Sequence, residues 1–241
     1  MKAIKTKTVF VGIMLGAIAL LCSAGCTKTV NEEILGDDFE VEVSGNYNSH
    51  NYVDLGLPSG ILWATCNVGA ASPEDYGDHF AWGETTVKTT YGWNDYKYCV
   101  GGDYDQLTKY CNRRDLGYNG FTDTLSLLQP EDDAATVNWG DGWCTPTKEQ
   151  WEELVNNTTS KWVIWKGVNG RLLTGTNGKT IFLPAAGSRA KYDAGEFGIY
   201  WSKSLDQVWA GDAHNLYFYS YTIDVLTNYR NDGSTIRPVR L

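Results

Sequence analysis

Histidine is scarce in this sequence, and so is every arrangement that would announce catalysis or metal binding. The three histidines, His50, His79 and His214, are scattered, and no Cys-x-x-Cys pair occurs among the six cysteines. That removes the ligand spacing of a zinc site. A serine-nucleophile elbow of the form Gly-x-Ser-x-Gly is missing. The apolar run at the N-terminus, Val9 to Cys22, has only 14 residues, too few to cross a bilayer. Positive charge is short as well: 20 Lys and Arg against 29 Asp and Glu give a formal charge of −9. Phosphate backbones need a basic footprint, so no nucleic-acid partner is expected. The same balance disfavours a peripheral grip on anionic lipid. No internal repeat is visible, and nothing calls for a cofactor or a metal ion.

What is present begins with an export signal. Lys2, Lys5 and Lys7 precede the short apolar run, and Ser23-Ala24-Gly25-Cys26 follows it. No polar face interrupts the run, as a buried amphipathic helix would require. The four residues resemble a bacterial lipobox, with Ser23 where leucine is usual. That resemblance implies cleavage of residues 1–25 and acylation of Cys26. Ordinary secretion with cleavage after Ala24 is the alternative. The membrane partner would be reached through acyl chains, and stable anchoring takes more than one. Losing three lysines moves the formal charge from −9 to −12 and leaves 216 residues. That length suits one large domain and a tether.

Residues 26–49 read as the tether, since Asn31-Glu32-Glu33 and Gly36-Asp37-Asp38 offer little to bury. Within it, Phe39 to Val43 alternates and predicts a short strand. The domain proper is expected over residues 50–241. Its four cysteines, Cys66, Cys99, Cys111 and Cys144, predict two disulfides in an oxidising compartment. Three pairings are possible, and the sequence does not choose among them.

Tyr52–Leu55 and Ile61–Cys66 read as strands around a turn-rich connector. Thr85 to Asp141 shows no period, and a loop region that long is usually functional or stapled. Thr147 is a predicted N-cap, with Gln150 as its capping-box partner. Trp151, Leu154 and Val155 then share one helical face, and the helix should stop near Asn156-Asn157. Trp162–Trp165, Arg171–Thr174 and Thr180–Leu183 read as strands, with hairpin turns expected at Asn169-Gly170 and Asn177-Gly178. Ten tryptophans should supply much of the core. The expected class is α+β, with short antiparallel strands and few helices.

In the C-terminal stretch, Leu216 and Phe218 alternate with Tyr217, Tyr219 and Tyr221. Period two places the tyrosines on the face away from the core. Tyr, Asn, Asp and Ser on a rigid frame suit a binding surface, because tyrosine adds contact area at low entropic cost. An ordinary solvent-facing strand would look the same.

Six blocks in order carry a family resemblance: YVDLGLPSGILWATCNVGA, PEDYGDHFAWGE, TPTKEQWEEL, IFLPAAGSR, YWSKS and STIRPVR. They span Tyr52 to Arg240. The chain resembles the Fibrobacter succinogenes major paralogous domain (FISUMP) family, common on lipoproteins of the Bacteroidales. The resemblance implies a C-type-lectin-like fold on a lipoprotein of the outer membrane, exposed at the cell surface. The C-terminal block is similar to the variable proteins of diversity-generating retroelements. By position, Tyr200, Trp201, Leu216, Phe218, Arg230, Gly233, Ile236, Arg237 and Pro238 would be frame. The implied display positions are Asp206, Gln207, Trp209, His214, Tyr217, Tyr219, Tyr221, Asp224, Asn228, Tyr229, Asn231 and Asp232. Cys144-Thr145 and Lys203 depart from the family pattern.

The expected function is binding of an extracellular glycan or protein ligand, without catalysis. Alternatives are a glycan-active hydrolase, although no carboxylate spacing singles out a pair, and a structural or fimbrial surface subunit. Trp93-Asn94-Asp95 and Gln129-Pro130-Glu131-Asp132 resemble calcium-site fragments of animal lectins, but in the wrong order. Glu131-Asp132-Asp133 still offers hard oxygen ligands.

Overall fold

The computed structural model describes residues 33–189 and 193–241. The expected export signal and the expected lipidation site Cys26 lie outside them. Among the described residues are eleven strands in three sheets and two α-helices, so the chain is a strand-rich α+β domain.

The first sheet runs β11 (Val239–Arg240), β4 (Leu62–Ala64), β3 (His50–Asp54), β2 (Gly45–Tyr47). The second runs β1 (Glu33–Ile34), β5 (Thr159–Trp165), β6 (Val168–Thr174), β7 (Thr180–Pro184). The third runs β10 (Ile223–Tyr229), β9 (Asp212–Phe218), β8 (Gly198–Leu205). All pairings within the sheets are antiparallel except β1 with β5. The helices are α1 (Ala134–Trp139) and α2 (Lys148–Asn157).

Two hydrophobic cores lie on opposite faces of the same strands. Trp63 and Tyr200 enter one, while their neighbours Ala64 and Trp201 enter the other. That is the period of two read at the centre of the molecule. Eight of the ten tryptophans are buried. The second core gathers Tyr96, Tyr98, Leu107, Tyr110 and Leu116 from the stretch with no period. Those residues pack from turns, so no strand or helix rhythm marks them.

The helix α2 forms as its sequence dictates. Thr147 Oγ1 accepts from Gln150 N at 3.2 Å, and Gln150 Oε1 accepts from Thr147 N at 2.8 Å. Trp151 and Leu154 are fully buried and Val155 partly so.

Three expectations fail. The stretch taken as a tether is packed from Glu33 onward. Leu35 N donates to Ile164 O, Phe39 meets the Trp165 ring edge-on at 5.3 Å, and Val41 joins the core. Ile34 and Val43 stay exposed, but Leu35, Phe39 and Val41 pack on the core and hold the segment down despite its acidic composition. Phe39 to Val43 forms no strand.

The turn between β5 and β6 is Lys166-Gly167, both at positive φ (48° and 81°), not Asn169-Gly170. Two residues with φ > 0 give the hairpin twist regardless of the Asn-Gly signal. Gly170 instead lies inside β6, where a Cβ would sit 2.4 Å from Leu183 O and against the Phe182 ring. At Asn177-Gly178 the expected turn does form, with Gly178 at φ 84°.

The two expected disulfides are absent: Cys66, Cys99, Cys111 and Cys144 are all free thiols. The Cys99 and Cys111 Sγ atoms turn to separate carbonyls, Asp103 O and Arg113 O, each at 3.0 Å. Burial pushes the thiols of Cys99, Cys111 and Cys144 up from their ordinary pKa.

Two buried arginines join distant segments. Arg230 donates to Tyr96 Oη and to the carbonyls of Lys109, Tyr110 and Ala210. Its guanidinium also lies 4.9 Å from the Trp82 ring. Arg237 donates to Asn67 Oδ1 and the carbonyls of Ala64, Thr65 and Phe182. Neither pairs with a carboxylate among the described residues.

Candidate functional site

The sheet β8–β9–β10 positions the expected binding residues. Its inner face carries Leu216 and Phe218, both fully buried. Phe218 packs between Trp162 (6.3 Å) and Tyr200 (5.9 Å). The tyrosines alternate with these residues and point away. Tyr217 meets Tyr219 edge-on at 5.1 Å, and Tyr219 stacks on Tyr221 at 5.5 Å with rings 3° from parallel. Phe197 closes the row, 5.8 Å from Tyr217 and 5.5 Å from Tyr219. Tyr221 is 72% exposed. Asp224 pairs across the ladder with Tyr217, so it shares the outer face. Arg171 fixes the turn at the end of the row by donating to Tyr219 O and Thr222 O.

The loop from β8 to β9 holds Asp206, Gln207 and Trp209. It is buttressed by residues that the sequence did not single out. Asn112 Nδ2 donates to Gln207 O at 2.8 Å, and Arg113 donates to Val208 O at 3.1 Å. Trp209 lies between the Arg113 guanidinium (5.0 Å) and Tyr104 (5.8 Å). These contacts cross almost a hundred residues of chain, so only the fold reveals them.

The remaining expected residues separate. His214 leaves β9 on the opposite parity from Tyr217 and lines a cleft of about 500 Å³ with Lys148, Glu149, Asp206 and Gln207. Burial, helped by the Lys148 charge, lowers its pKa. Asn228 Nδ2 donates to Asp232 Oδ2 at 2.9 Å, and Tyr229 lies 6.3 Å from Trp93. Asn231 is buried at 7% exposure and belongs to the frame rather than to a displayed surface.

Asp212, absent from the expected set, stands out electrostatically. Burial first, then the charges of Asp206 and Asp232, push its carboxyl up to about 6. Its Oδ1 atom is buried without a hydrogen-bond partner. The acidic run at Glu131-Asp132-Asp133 is already engaged. Asp132 accepts from Lys97, Lys109, Tyr98 and Tyr110. Burial would raise its pKa, but these donors outweigh it and hold the carboxyl at about 2. Asp133 caps α1 and binds Thr145 N and Oγ1. With those oxygens occupied by protein donors, the run has little left to offer a calcium ion.

Fold and site together define a strand-rich α+β domain with a tyrosine row at the β9–β10 turn and a polar cleft at His214. No family model, curated protein or solved structure matches the chain.

Proposed function

We propose that this chain is an exported, lipid-anchored surface protein whose C-type-lectin-like domain binds an extracellular glycan or protein ligand. It is the kind of protein that the FISUMP resemblance implies. The observation that carries the reading is the row of stacked rings Tyr217, Tyr219 and Tyr221, which starts at the end of β9 and continues through the turn to β10, while Leu216 and Phe218 beside it are fully buried. A rigid frame presenting phenols spends little ordering entropy on contact. Catalysis has no part in this reading, and attachment runs through Cys26.

Two experiments test it. Cys26→Ala should release the protein from the membrane fraction or leave the precursor uncleaved. Normal processing with retention in membranes contradicts the anchor. Titration against a panel of immobilised glycans and purified surface proteins should identify a ligand whose affinity falls in Tyr219→Ala. The expected loss is ~1–2 kcal/mol or more, as for a central aromatic contact. A ligand bound equally well by that variant contradicts the tyrosine surface.

A further inference from the structure

The cleft at His214 has a chemistry of its own. It lies between the first turn of α2, the end of β8, the β8–β9 loop and His214, with Ser126 and Leu127 closing one side. Its volume, about 500 Å³, is that of a small-molecule site.

The polar groups around it retain hydrogen-bonding capacity. Glu149 makes no ion pair or hydrogen bond among the described residues, and neither does the Gln207 side-chain amide or the Ser126 hydroxyl. Asp206 spends one oxygen on Val208 N at 2.9 Å and keeps the other. The 500 Å³ cleft thus differs from the engaged cluster around Asp132, where donors already surround the carboxylate. Unused acceptors and donors converging on one concavity are the means of orienting a polar ligand.

Charge narrows the class. Lys148 contributes one positive charge, against two negative charges from Glu149 and Asp206. Burial, with the Lys148 charge, lowers the pKa of His214 and so disfavours a positive charge on its ring. An anionic ligand would meet net repulsion. Leu127, 40% exposed, and Val208, 78% exposed, supply apolar wall. Carboxylates, an amide and a hydroxyl beside a small aliphatic patch match a ring with several hydroxyls on one edge and C–H groups on its face.

The geometry points to this cleft as a subsite for a neutral sugar ring, separate from the tyrosine surface. It rests on reading the β8–β9 loop as part of a binding region. It adds Ser126, Glu149 and Lys148, which lie outside the expected display set.

Calorimetric titration of the full chain with methyl α-glucoside, methyl β-galactoside and N-acetylglucosamine tests it, with glucuronate and glucosamine as charged comparators. At least one neutral sugar should bind saturably, and glucuronate should not. Gln207→Ala and Glu149→Gln should each weaken that binding about tenfold. Gln207 is exposed and the Glu149 change is nearly isosteric, so both variants should fold. A matching circular dichroism spectrum checks that they do.

No binding by any neutral sugar overturns the proposal. So does preference for either charged sugar, or unchanged affinity in both cleft variants. Sugar binding that survives while no ligand is found for the tyrosine row would leave the cleft standing and remove the broader display reading.

Discussion

Neighbouring residues in this chain have opposite duties, and the register of β9 decides which. Phe218 fills the space between Trp162 and Tyr200, so Phe218→Ala opens a core cavity. It should cost ~3–5 kcal/mol in urea unfolding, with binding lost only through unfolding. Tyr219→Ala should leave the unfolding midpoint nearly unchanged. A stable Phe218→Ala would place the register one residue off. Asp212 yields a different prediction. Its carboxyl is raised to about 6 from an ordinary 3.8, so the folded state holds that proton more tightly than the unfolded chain. Stability from this group therefore grows as pH falls from above 6 towards 4 and is level below that. Above pH 6 the charged carboxylate, beside Asp206 and Asp232, is a standing cost. Asp212→Asn should be more stable than the parent at pH 7, and the difference should shrink to nothing by about pH 4. Urea midpoints of both proteins across that range make the comparison. Equal midpoints at pH 7 would contradict the assignment.

At the scale of the element, regular structure was legible wherever the chain repeats a local rule. The capping box at Thr147 and Gln150 is one such rule, and Thr147→Ala should cost about 1 kcal/mol in the same assay. The alternation in β9 is another. The first hairpin shows where such rules give way. Asn169-Gly170 has turn composition, yet Gly170 is a strand residue because only a residue without a Cβ passes Leu183 O and the Phe182 ring. Gly170→Ala should therefore destabilise by more than the ~1 kcal/mol that ordinary glycine replacement moves, because backbone must shift. A variant with parental stability would return the turn to Asn169-Gly170. The supports of the candidate site, Asn112 and Arg113, were not legible. They reach Gln207 and Val208 through side chains from a stretch with no period. The cleft was only partly legible: Asp206, Gln207 and His214 were expected together, while Lys148 and Glu149 read only as the start of a helix.

The whole molecule joins two cores and three sheets without a covalent cross-link among its described residues. The four cysteines of the domain suggested staples. Arg230 and Arg237 instead connect distant segments, each through four hydrogen-bond acceptors. The thermal midpoint should accordingly be the same with and without reductant, and denatured, unreduced protein should alkylate at Cys66, Cys99, Cys111 and Cys144. A midpoint that drops on reduction would restore the disulfides. Arg230→Met would strand two buried carbonyls, of Tyr110 and Ala210, each costing ~1–3 kcal/mol. Most acceptors of these two arginines are main-chain oxygens, on Lys109, Tyr110, Ala210, Ala64, Thr65 and Phe182. Every amino acid carries such an oxygen. The clamps therefore place no demand, through these bonds, on which side chain occupies those six positions. Descendants of this sequence can rewrite what the loops present while inheriting the fastening unchanged.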